Sequence, residues 1–74
     1  MFRIDVRNTI APLAILQIRD EMKSKPDTGS ITVLCEDVSF IEDMKNIMQD
    51  YEFTINFMKN HGDHLTVAMF YKQA

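Results

Sequence analysis

A single cysteine, the two carboxylates that follow it and a proline-marked helix start are the groups in this sequence best placed to do chemistry. Cys35 is the one thiol among 74 residues, and Glu36 and Asp37 come directly after it. Thiolate, the nucleophilic form, is populated at neutral pH where a helix N-terminus or a cation lowers the pKa. No lysine or histidine adjoins Cys35 in sequence. The plainer reading is therefore a small buried hydrophobe in an apolar strand. Glu36 and Asp37, with Asp43 nearby, have the chemistry of an acid/base pair or of a hard-cation site. As loop residues they are more simply solvated, with Asp37 near the positive end of a following helix. His61 and His64 are three apart beside a tight turn with no cysteine near them. Zinc would need more ligands than that, so neither a metal nor a cofactor is expected.

The helix start lies in Asp5-Val6-Arg7-Asn8-Thr9-Ile10-Ala11-Pro12-Leu13-Ala14. Proline suits the first helical position, where its missing N–H would have been unbonded anyway. Pro12 thus predicts a helix with Ala11 as its N-cap. Alanine is a poor cap, having no oxygen to accept the free N–H groups of the first turn. A thiol at this point would sit in the positive end of the helix dipole and be activated by it. This chain has a methyl group there.

The decapeptide resembles the signature of the small TusA-like (SirA-like) sulfur carriers, Asp-x-Arg-Gly-x-x-Cys-Pro-x-Pro, at the same junction of first strand and first helix. Asp5, Arg7 and Pro12 match it; Asn8 stands for the glycine, Ala11 for the persulfide-carrying cysteine and Ala14 for the second proline. The resemblance implies a binding site formed by Asp5, Arg7, Asn8, Ala11 and Pro12, and a protein partner from a sulfur relay, such as a cysteine desulfurase or an acceptor. It also implies that persulfide transfer cannot run through Ala11. The expected function is a non-catalytic protein-binding or regulatory module in sulfur trafficking. The alternatives are a carrier using Cys35 as a displaced thiol, and an RNA-binding module. Arg7 has two readings, a contact to an anion or a partner's carboxylate, and a surface ion pair of little worth. Asparagine tolerates the left-handed backbone, so Asn8 is expected to keep the loop geometry of the glycine.

These residues need elements to position them. Phe2-Arg3-Ile4-Asp5-Val6 alternates as a strand does, and Ala11, Ile15, Ile18 and Met22 recur as one face of a helix running to about Lys25. Leu13, Ala14 and Leu16 are expected to widen that stripe. Lys25 to Ser30 reads as a turn with Gly29 as its permissive position, and Ile31 to Cys35 as a strand pairing parallel to the first. Ser39 and Glu42 have the spacing of a capping box, opening a helix that carries Phe40, Ile41, Met44, Ile47, Met48 and Tyr51. Phe53, Ile55 and Phe57 alternate in a third strand, and Asn60-His61-Gly62-Asp63 turns into a fourth from His64 to Tyr71. The expected fold is α/β (α+β): β-α-β-α-β-β, a two-layer sandwich whose mixed four-stranded sheet carries both helices on one face. Its open face is expected to be mostly polar through Thr54, Asn56, Thr66 and Ala68. In this topology Cys35 ends its strand beside the turn leaving the first, close to Ala11 and Pro12.

Seventy-four residues with 46% hydrophobic and 26% charged content are enough for one small domain, residues 1–74. A net charge of -3 and a pI of about 5.1 argue against DNA and disfavour RNA as a partner. The amino end lacks the basic start and apolar run of a signal peptide, and no apolar run suits a membrane, so a cytoplasmic setting is expected. Of six methionines, Met22, Met44 and Met48 fit core stripes. Met58 and Met69 fall on the hairpin, where an exposed patch with Phe57 or Phe70 would mark an interface. A monomer or weak dimer is expected.

Overall fold

A computed structural model describes residues 2–74, leaving Met1, expected as the initiator, outside them. The chain runs β1 (Phe2–Asp5), α1 (Ala11–Lys23), β2 (Thr28–Cys35), α2 (Ser39–Ile47), β3 (Tyr51–Asn60) and β4 (Leu65–Gln73). The strands form one sheet in the order β1-β2-β4-β3, with β1 parallel to β2 and the other pairs antiparallel. This is the expected β-α-β-α-β-β sandwich. Its core joins Ile15, Ile18 and Met22 of α1 and Ile41 and Met44 of α2 to Ile31 and Val33 of β2 and Val67, Met69 and Tyr71 of β4. Met48 completes it from just beyond α2, and Ala14 is fully buried as expected.

Several boundaries differ from the sequence reading, each for a local reason. The Ala14 N–H donates to the Ile10 carbonyl at 3.0 Å, which makes Ile10 the N-cap and Ala11 the first helical residue. Pro12 fits one place further in because the first-turn N–H groups all lack intrahelical acceptors. At α2 the capping box does not form. Val38 is the N-cap, with no side-chain cap bond, and Ser39 is the first helical residue; its N–H at 2.9 Å and its hydroxyl both donate to the Asp37 carboxylate. Helix α2 stops at Ile47, and Tyr51 begins β3. Tyr51 turns its ring onto Tyr71 in an edge contact at 6.0 Å, a core position that mimics helical spacing after Met44 and Met48.

The alternation expected of β3 also breaks. Ile55 pairs with Met69 but Phe57 pairs with Ala68, so Asn56 is an extra residue, a β-bulge. Paired residues share a face of the sheet. Phe53 and Ile55 therefore lie on the helix side with Tyr71 and Met69, whereas Phe57 falls on the open face, 53% exposed. Phe70 is exposed too, so the open face carries two aromatic rings among its threonines.

Gly29 belongs to β2 and not to the preceding turn. It pairs with Tyr71, and a Cβ built on it would stand 2.8 Å from the Tyr71 hydroxyl and 3.0 Å from its Cζ. The ring is buried under Tyr51 and has little freedom to yield. Gly29→Ala is expected to cost about 1–3 kcal/mol in urea denaturation, the usual range for forcing a methyl group into packed space. An unchanged midpoint would mean that the ring swings aside.

Candidate functional site

The helix start and the end of β2 meet at one edge of the sheet. Hydrogen bonding continues the parallel pairing of β1 and β2 one residue further, with the Val6 N–H donating to the Leu34 carbonyl at 2.9 Å. A pocket of about 160 Å³ lies where the chain leaves both strands. Thr9, Ala11, Cys35, Glu36, Asp37, Ser39 and Asp43 are among the residues that line it. The topological expectation that Cys35 and Ala11 come together, with carboxylates around them, describes this pocket.

Cys35 is 1% exposed, and its sulfur donates to the Asp37 carbonyl at 3.3 Å. Burial pushes its pKa up to about 11, and the Asp37 carboxylate adds to the rise. The helix dipole does not activate it, since Cys35 ends a strand and α2 begins four residues later. The Asp37 carboxyl is held below its ordinary range by the hydrogen bonds from Ser39.

Arg7 turns back on its own loop. Its guanidinium Nε and a second nitrogen grip the Asp5 carboxylate at 2.6–3.1 Å, and the Arg7 backbone N–H adds a bond at 3.1 Å. That fork holds the Asp5 carboxyl down at about 2 and raises Arg7. The tip of the β3–β4 hairpin contributes field from the same edge, Asp63 acting on Arg7 and His64 on Asp5. The ion pair, one of the two readings of Arg7, is formed within the loop. The loop does not use a left-handed residue: Gly62, at φ 93°, is the one positive-φ position among the described residues, so Asn8 does not adopt the left-handed backbone.

His61 and His64 stack at 4.5 Å, with His61 against the Thr66 hydroxyl at 3.1 Å and His64 on Asp63 at 2.7 Å. Among the described residues no three His, Cys, Asp or Glu groups converge as a metal site would require. No helix among them is long and apolar enough to cross a membrane.

The helix start exposes more apolar surface than the sequence reading assigned to it. Ile10 is 71% exposed, Leu13 56% and Leu16 50%, and Val38 is exposed at the start of α2. Leu13 and Leu16 do not widen the core stripe. At about 100° per residue they lie roughly 150° round the helix from the centre of Ala14, Ile15, Ile18 and Met22. That angle was the available signal, hidden because leucine fits an apolar stripe by type.

With this geometry described, comparison with solved structures finds the same fold in a SirA-like protein from Desulfitobacterium hafniense. The TM-score is 0.70, covering 95% of this chain and 96% of that one, at 14% sequence identity. The fold is SirA-like. No family model matches the sequence, and no curated protein is significantly similar to it. In this SirA-like fold the first parallel pair and its crossover helix place the β1–α1 turn against the end of β2, which is the edge that carries the pocket.

Proposed function

We propose that this SirA-like domain is a TusA-like relative without thiol chemistry, which works by binding a protein at the start of α1 within sulfur trafficking. The observation that carries this reading is the pairing of a methyl group at Ala11 with exposed Ile10 and Leu13, where the family motif has a persulfide-carrying cysteine. Apolar side chains left in water around a helix start favour a partner that covers them. The electrostatics support the same reading. Glu36, Asp37 and Asp43 line the pocket, and a thiolate or persulfide anion beside them would be destabilised. Cys35, the remaining thiol, is closed in and resists ionisation.

The test is incubation of the chain with a cysteine desulfurase and cysteine, read by intact mass, beside a carrier that keeps its motif cysteine. Loading would require a thiolate of the chain to attack the outer sulfur of the desulfurase persulfide, forming a new S–S bond as the old one breaks and the desulfurase cysteine leaves as a thiolate. The expected result is no added sulfur on this chain, together with a complex of the two proteins detectable by calorimetry. A sulfur that is added and then lost in Cys35→Ser would make the chain a displaced carrier. Absence of any complex would remove the assignment to sulfur trafficking.

A further inference from the structure

Strand β3 ends the sheet, and among the described residues it pairs with β4 alone. It is ten residues long and holds Ile55, Phe57 and Met58, all exposed, on its middle and far half. A long edge strand with apolar side chains is a template for another strand unless something blocks it. Charges stand near its ends, Glu52 and Lys59. The other edge, β1, is four residues long.

The bulge selects what can pair here. Before it, Phe53 and Ile55 face the helices while Glu52 and Thr54 face outwards; after it, Met58 faces the helices while Phe57 and Lys59 face outwards. A regular strand laid along this edge keeps its faces matched on one side of Asn56 and needs a bulge of its own to match the other. A second copy of β3 brings that bulge. With the copies antiparallel about a two-fold axis at Ile55 and Asn56, Glu52 stands opposite the second copy's Lys59, Phe53 opposite its Met58, and Thr54 opposite its Phe57. Each pair falls on one face, and each occurs twice. Moving the register by one residue puts the pairs on either side of the axis on opposite faces. Moving it by two removes the pairing of Glu52 with Lys59.

We infer that β3 is a homodimer edge, at which two copies of this chain join antiparallel into a continuous eight-stranded sheet fixed by reciprocal Glu52–Lys59 pairs. The inference is independent of the proposed sulfur role, because it uses β3 and not the start of α1.

Charge reversal tests it. Opposite charges directly across an antiparallel pair stabilise it, and like charges destabilise it. Lys59→Glu sets two pairs of carboxylates against each other, and Glu52→Lys sets two pairs of ammonium groups. Sedimentation velocity is expected to show a concentration-dependent wild-type dimer and an association constant roughly tenfold or more weaker for each variant alone. An equal mixture of the two variants is expected to recover the dimer, since both contacts in the mixed species are complementary. Within its own chain Glu52 lies opposite Lys72, so Glu52→Lys needs a far-UV circular dichroism check. Should it fail to fold, Phe57→Asp, at an exposed position, supplies the second disruption. A wild-type chain that stays monomeric at about 1 mM, or a dimer indifferent to Lys59→Glu and Phe57→Asp, overturns the inference.

Discussion

In the folded chain at pH 7.5, iodoacetamide is expected to alkylate Cys35 at least about a hundredfold more slowly than in the same chain unfolded in urea. Thiolate is the reacting form, and below both pKa values its fraction falls tenfold for each unit that the pKa rises. Burial lifts Cys35 from its ordinary 9.0 to about 11, which supplies the hundredfold, and 1% exposure slows access further. The pH dependence distinguishes this cause from simple occlusion. The unfolded chain's rate is expected to level off just above pH 9, whereas the native rate is expected to climb until about pH 11. Stability follows with a definite sign. The unfolded thiol ionises first, so stability is constant with respect to this group below pH 9 and declines as the pH rises from 9 towards 11. Equal rates in the two states would show an open, ionisable thiol and favour sulfur carriage by Cys35.

That prediction depends on a site that sequence and topology together made legible. Strand alternation, the proline-marked helix and the apolar run ending at Cys35 were enough to place Cys35 beside Ala11, because a parallel pair joined by one helix leaves few other arrangements. What escaped was decided by interactions between elements. Ser39 does not cap α2 because its hydroxyl donates to the Asp37 carboxylate and the helix begins one residue earlier than expected, with Val38 as N-cap. Tyr51 leaves the helix because the sheet offers its ring a place against Tyr71. Asn56 gives no local sign of a bulge, yet its insertion moves Phe57 to the opposite face and creates the two-aromatic patch with Phe70. Gly29 carries the signature of a turn, and its actual use is to admit the Tyr71 ring.

The α1 leucines and isoleucines offer the second large effect, and it separates packing from binding. Ile18→Ala is expected to cost about 2–5 kcal/mol, because Ile18 is fully buried between α1 and the sheet and the truncation leaves a cavity. A chain of this size has roughly 4–11 kcal/mol of stability in all, so the variant is expected to melt well below the wild type and to be partly unfolded at 37 °C. Leu16→Ala, two residues away on the same helix, is expected to change stability by no more than about 0.5 kcal/mol. Its side chain is half in water, and alanine is the better helix former. Urea denaturation of the two proteins makes the comparison with helix propensity nearly cancelled. Similar losses at both positions would mean that Leu16 is packed and that α1 presents no apolar ridge. The expected contrast has a functional consequence: residues on the Leu13–Leu16 side can be altered without unfolding the domain. A loss of desulfurase binding in Leu13→Ala, with its denaturation midpoint unchanged, would then locate the contact on that ridge, whereas the same loss in Ile18→Ala would report only a broken core.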